Sequence, residues 1–282
     1  MSGRTWRYDG SLEGLIVLAH RAFTEAGSSE SIVDVPAAEG ELFPFPDSSP
    51  HRGLPLRVVS FRDRPLSGVP PLDALDSRLT GPCRAAEAPS SELRAFSSEL
   101  FDTVIRIWMS EAALELPLLR LCAYAGLHGS DVLEDYGNPD LRAVAGASRR
   151  VSREIERLCG LARFSPRDDG LLAAALEPDA NILAALLPHF ARRFGHEDFA
   201  LVDVRRRLAF ARRDGDFESA IGTEALSFLP DEMGDDDEEV SLWRRYFEGT
   251  ENPSRKNPEL QCRLMPRRYW RYLPEIAKRH EV

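Results

Sequence analysis

The sequence predicts an α+β protein, in which an N-terminal α/β lobe and a helical middle pack on a C-terminal antiparallel ββαββ unit with a basic helical tail. Three observations carry this expectation. Between Leu161 and Arg213 the apolar spacing changes from that of a strand to that of a helix and back. From Glu92 to Cys159 the apolar residues recur at three and four, and Thr5 to Ala26 reads as a strand, a turn and a helix. The expected boundaries are 1–90, 91–160 and 161–282, or one continuous domain.

The chain opens with a short strand at Thr5 to Tyr8. Asp9-Gly10-Ser11 then makes a turn and cap before a helix over Leu12 to Ala26, with Leu15, Ile16, Leu18, Ala19 and Phe23 inward. Ser31 to Val35 and Leu56 to Phe61 are strand candidates separated by the proline-rich connector Pro44 to Pro55. Pro65 to Pro89 reads as a loop with one short helix at Leu72 to Leu79. From Glu92 to Gly126 Phe96, Leu100, Phe101, Val104, Ile105 and Trp108 share a helical face, with a break near Pro117. A short helix at Asp131 to Tyr136 follows. Leu141 to Cys159 is a helix with Val144, Ala147, Val151, Ile155 and Leu158 inward and Arg149, Arg150, Arg153 and Arg157 outward.

In the ββαββ unit, strands are expected at Leu161 to Phe164, Leu171 to Leu176, Phe199 to Val204 and Leu208 to Ala211. Asp169-Gly170 turns the first pair into a hairpin. The helix between the pairs carries Ile182, Leu183, Leu186, Leu187, Phe190 and Phe194 on one face, Asp179 as N-cap, Gly195 as stop and Pro188 as a kink. Asp214 to Asp216 is a turn. Val240 to Phe247, a short helix after Pro258 and a final helical piece from Met265 complete the chain.

Composition excludes several classes. With 43% hydrophobic and 29% charged residues the chain reads as globular, and no run of 18 apolar residues marks a membrane span. The N-terminus lacks the basic-then-apolar order of a signal peptide, so a cytoplasmic location is expected. Cys83, Cys122, Cys159 and Cys262 are dispersed, which fits reduced thiols and neither a zinc site nor a disulfide framework. The net charge of −10 argues against unspecific coating of nucleic acid, because such binding is phosphate neutralisation by Lys and Arg. Charge is uneven, however. Asp231 to Glu239 holds seven acids in nine residues, whereas Arg255 to Val282 has eight Lys or Arg against three acids.

The basic tail interleaves Arg255, Lys256, Arg263, Arg267, Arg268 and Arg271 with Tyr269, Trp270 and Tyr272. Cations beside flat rings suit a single-stranded or distorted nucleic acid, since phosphates take the charge and bases stack on the rings. The alternative is a tail that docks its rings into the core and leaves its arginines in solvent. Arg205, Arg206 and Arg207 form a second basic group at a hairpin tip, with Arg192 and Arg193 on the helix beside it, and guanidinium forks match phosphate geometry. These too have a bland reading as a solvated turn. Asp203, closing an apolar strand, and Asp9, at a helix start, are the weak candidates for a catalytic carboxylate; an ion pair for Asp203 and a cap for Asp9 are the competing roles. Asn181 is expected to cap or orient the helix start. No dinucleotide, P-loop, nucleophile-elbow, HExxH or radical-SAM cluster motif is present. No cofactor and no metal are expected.

Five stretches carry a family resemblance: WRYDGSLEGL from Trp6, VSREIERLCGLARF from Val151, DGLLAAALEPDANILAALLPHFARRF from Asp169, FALVD ending in Asp203, and KNPELQCRLMPRRYW from Lys256 to Trp270. The chain resembles a bacterial family of DNA metabolism or repair proteins, a domain of unknown function also found fused to uracil-DNA glycosylase-like domains and encoded beside a radical-SAM protein. That resemblance implies an accessory protein that binds single-stranded or damaged DNA and works with a separate enzyme. A radical-SAM or uracil-DNA glycosylase-like protein is the implied partner. The family carries a His immediately before the Asp matching Asp203, where this chain has Val202, so no mechanism built on that histidine transfers. Two further readings are a hydrolase acting on a nucleobase or nucleotide, using Asp203 or Asp9 with an arginine, and a protein-protein adaptor docking through its acidic run.

Overall fold

The computed structural model describes residues 5–7, 12–24, 39–41, 84–230 and 238–277. Asp9, the strand candidates Ser31 to Val35 and Leu56 to Phe61, the helix expected at Leu72 to Leu79 and most of the acidic run lie outside these residues. The chain is mixed α and β, and its contacts separate it into two units that meet in sequence between Arg153 and Glu154.

In the first unit, β1 (Thr5–Arg7) pairs parallel with β2 (Glu39–Glu41), placing Trp6 opposite Gly40. Four helices, α1 (Leu12–Thr24), α2 (Arg84–Phe96), α3 (Ser98–Ser110) and α4 (Glu115–His128), enclose a core of Leu15, Ile16, Leu18, Leu93, Leu100, Phe101, Val104, Leu118 and Cys122. Helix α2 begins at Arg84 and runs through Pro89, inside the stretch expected as loop. The expected helical run breaks at two places, and the second, at residues 111–114, falls near Pro117 as expected. Ser97 ends one helix and caps the next, its Oγ accepting from Leu100 N at 3.2 Å. Glu111 then adopts φ 51° and stops α3. Pro117 sits in the first turn of α4, where a missing N–H removes no helical bond. Helix α5 (Pro139–Leu161) follows a 3-10 turn at Ser130–Glu134, and Val144, Ala147 and Val151 make its buried stripe.

The second unit is built on a five-stranded sheet: β3 (Ser165–Pro166), β4 (Leu172–Leu176), β5 (Phe199–Asp203), β6 (Leu208–Arg213) and β7 (Asp216–Ile221), in that order. Helix α6 (Leu183–Phe194) lies between β4 and β5 in sequence. The expected antiparallel ββαββ arrangement is corrected at three points. The pair β4–β5 is parallel, with Ala174 opposite Leu201, because an intervening helix returns the chain to the end from which β4 started. The first strand is Ser165–Pro166; Leu161 belongs to the last turn of α5, and Ser165 is held extended by the proline after it. A fifth strand follows β6, joined by the two-residue turn Asp214-Gly215, where φ is 52° and 91°. Two positive φ values in a two-residue loop make a hairpin whose twist matches its strands.

Helix α6 starts at Leu183 with Ile182 as N-cap, so Asp179 does not cap it, and it continues through Pro188 to Gly195. Its buried residues Leu183, Leu186, Leu187 and Phe190 cover the sheet, and Phe164, Phe190, Phe194 and Phe199 meet ring to ring at 4.7 to 6.3 Å. The rest of the chain is α7 (Thr223–Leu226), α8 (Glu238–Thr250), α9 (Pro258–Leu264), a 3-10 helix Arg267–Tyr272 and α10 (Pro274–Ala277). No described helix is long and apolar enough to cross a membrane.

Candidate nucleic-acid interface

Parallel strands β4 and β5 end side by side, and the loops that leave their carboxyl ends are where ligands bind in open α/β sheets. Here that place is occupied by a dense polar network around residues 177–181. The hairpin turn after β5 reaches it from one side: Arg205 Nη2 and Arg206 Nη2 each donate to the Asp179 carbonyl at 2.6 Å, and Arg206 Nη1 donates to the Pro178 carbonyl at 3.0 Å. The 3-10 helix near the C-terminus reaches it from another. Arg268 Nη2 lies 2.5 Å from the Asp179 carboxylate, and Arg271 pairs with Glu177, which also accepts from Tyr272 Oη. The two basic groups singled out in the sequence, separated by about sixty residues, thus meet on Asp179.

The centre of the network is a residue that the sequence reading passed over. Glu154, buried on α5, accepts from the backbone N–H groups of Asp179 at 2.8 Å and Ala180 at 2.9 Å. It also accepts from Tyr269 Oη at 2.5 Å and lies 3.3 Å from Arg268 Nη2. A buried carboxylate is stable only when such partners replace its water. The signal was readable: Glu154 falls three residues after Val151 and four before Leu158, so a carboxylate stands within an apolar stripe. Burial, with the Glu154 charge beside it, pushes the Tyr269 hydroxyl up to about 12, so it remains a proton donor across the physiological range.

Asp203 is fully buried. Arg206 Nη1 donates to its carboxylate at 2.7 Å and the Arg206 N–H donates to it at 3.0 Å. Desolvation raises its pKa, and the bonds and charge of Arg206 work against that rise. The geometry is that of an internal ion pair holding the turn after β5. Asn181 is buried beside the network, and its Nδ2 has no hydrogen-bond partner among the described residues.

The predicted nucleic-acid residues separate into three groups. Arg205, Arg206 and Arg268 are brought together at Asp179. Tyr269 and Trp270 are buried, at 2% and 9% exposure, and Trp270 Nε1 donates to the Met265 carbonyl at 2.9 Å while its ring packs with Leu273 and Ile276. Their faces are therefore closed to stacking, and the core-docking alternative describes them. Arg192, Arg193, Arg207, Arg255, Lys256 and Arg267 are exposed; Lys256 lies 3.4 Å from Glu251, and Arg267 stands 5.7 Å from the Trp270 ring centre. Exposed rings occur elsewhere, on α8, where Trp243 and Tyr246 lie 5.6 Å apart. Among the described residues no group of three His, Cys, Asp or Glu side chains is arranged to hold a metal ion.

Residues 113–275 match the model of a family described as a domain of unknown function, DUF4130. The chain belongs to this family. No curated protein and no solved structure matches it. The DUF4130 region runs from the start of α4 into α10, so it contains the whole Asp179 network together with α5 and the five-stranded sheet.

Proposed function

We propose that this DUF4130 protein binds nucleic acid as an accessory in DNA metabolism or repair, acting beside a separate enzyme. One observation carries the reading: the basic hairpin turn and the basic 3-10 helix converge on the loop at the carboxyl ends of the parallel strands. The inner arginine, Arg206, is used up by Asp203 and the Pro178 and Asp179 carbonyls. Arg205 is exposed with one Nη on the Asp179 carbonyl, Arg207 is exposed in the same turn and Arg267 is exposed next to Arg268, leaving guanidinium N–H groups for phosphate oxygens. The resemblance to DNA metabolism proteins points the same way and suggests a radical-SAM or uracil-DNA glycosylase-like partner. The hydrolase alternative gains nothing from Asp203, whose carboxylate is enclosed and ion-paired.

Fluorescence anisotropy with labelled single-stranded and duplex oligonucleotides, from about 50 to 200 mM salt, tests the reading. Binding should weaken steeply with salt, and Arg205→Ala with Arg267→Ala should lower the logarithmic slope by about two. Absence of binding at the lowest salt refutes the proposal and leaves the adaptor reading.

A further inference from the structure

Helix α5 presents an arginine-rich face. At 100° per residue, Arg142, Gly146, Arg149, Arg150, Arg153, Glu156 and Arg157 fall on the side opposite Val144, Ala147, Val151 and Leu158. Arg149, Arg150 and Arg153 are exposed and Arg157 is half-buried. None of these four guanidinium groups has an ion pair or hydrogen bond among the described residues, in a chain whose acids outnumber its Lys and Arg by 46 to 36. Acidic partners are abundant, and this face holds a single carboxylate, Glu156.

Gly146 supplies an independent observation. Glycine is the poorest helix former after proline, and inside a helix it leaves the backbone open to close approach. A Cβ on Gly146 would meet nothing of the fold except the tip of Arg150 at 3.7 Å, so no internal packing demands the glycine. It stands on the arginine face, one turn before Arg149 and Arg150.

We infer that this face of α5 is a second contact surface for nucleic acid, with Arg149, Arg153 and Arg157 taking phosphates of one strand and Gly146 admitting the backbone close to the helix. The inference rests on the proposed nucleic-acid function and adds to it a site outside the predicted basic groups. Charge favours a phosphate chain as occupant. Arg149, Arg153 and Arg157 rise by about 6 Å per step along the helix. This regular row of positive charge with one carboxylate beside it complements the phosphates of a nucleic-acid strand, the ligand of the proposed function.

The test uses the full chain and four variants: Arg149→Ala with Arg153→Ala, Arg149→Lys with Arg153→Lys, Gly146→Gln, and Arg205→Ala with Arg267→Ala. Each is titrated with a labelled duplex and a labelled single strand across a salt series, and each is melted. The double alanine variant should lose roughly tenfold or more in affinity at 0.1 M salt and about two units of salt slope, with an unchanged melting temperature. The lysine variant should retain the slope, because the charges remain. Gly146→Gln should melt at or above the parent temperature and still bind more weakly, a combination that a structural role for the glycine would not produce. Full affinity in both the alanine and glutamine variants, with Arg205→Ala and Arg267→Ala still reducing binding, overturns the α5 surface and leaves the proposed function standing. A parent protein that binds no oligonucleotide overturns both. Displacement by polyglutamate at the same charge concentration as by oligonucleotide assigns the face to an acidic protein instead.

Discussion

The Asp179 network and the outer face of α5 are both rich in arginine, yet they use it in opposite ways. Around Asp179, Arg206 and Arg268 are attached to backbone carbonyls and carboxylates of the same chain. On α5, Arg149, Arg150, Arg153 and Arg157 are attached to nothing described. A count of basic residues therefore says little about binding; what separates a structural arginine from one left for a ligand is whether the fold already supplies its acceptor.

The sharpest way to break that comparison is to remove a carboxylate or a guanidinium from inside the network. Glu154→Ala would leave two buried N–H groups and the Tyr269 hydroxyl without an acceptor, and Arg206→Ala would leave Asp203 charged and buried. Each should cost about 3 to 5 kcal/mol, read from denaturant midpoints at constant slope. A loss below about 1 kcal/mol, the size of an exposed pair, would show that water replaces the missing partner and that the network is looser than its distances imply.

Leu186→Ala tests the apolar side of the same unit. The side chain is fully buried between α6 and the sheet, and its truncation should cost about 2 to 5 kcal/mol. An unchanged melting temperature would show that α6 does not pack as described.

A smaller effect should appear with pH. Hydrogen bonding by Arg213, with Leu171 N–H and Arg167, lowers the Asp169 pKa to about 2 from 3.8. Because the folded value lies below the unfolded one, the contribution is complete above about pH 4 and disappears as pH falls toward 2. Asp169→Asn should therefore be less stable than the parent at neutral pH, with the difference shrinking through that acid window in a series of urea melts. A difference independent of pH would assign the effect to the Asp169–Gly170 turn geometry and not to charge.

Much of this architecture was legible in the sequence, and the exceptions have physical causes. Helix α6 and its stop at Gly195 follow from period and a glycine at φ 62°. Parallel pairing of β4 and β5 was signalled by LAAAL and FALVD, runs apolar on both faces, which is the mark of strands buried on both sides; the hairpin turns on either side masked it. Strand β7 was missed because DFESAI alternates weakly and lies at the sheet edge, although Asp214-Gly215 before it is a strong hairpin signal. At the site, the sequence identified both basic groups but not their meeting point, which depends on Glu154 and on a contact between residues 179 and 268 that no local pattern encodes. Tyr269 and Trp270 show the converse: aromatic and basic residues alternate in the same way whether the rings are buried or offered to a base.

The smallest stability effect belongs to α5, where Arg153→Ala should leave the melting temperature within error, since an exposed side chain without partners among the described residues contributes within about 0.5 kcal/mol. That near-zero value sets up the most direct test of the division between the two sets of arginines: thermal melts of the parent, Arg206→Ala and Arg153→Ala, each with and without a saturating oligonucleotide at low salt. A ligand that binds only the folded state raises the melting temperature in proportion to its affinity. The account predicts that Arg206→Ala melts several degrees lower alone, whereas Arg153→Ala melts like the parent alone and gains less from the oligonucleotide. A parent protein with no oligonucleotide-induced rise, or an Arg153→Ala variant with the full parental rise and a lowered temperature of its own, would contradict it.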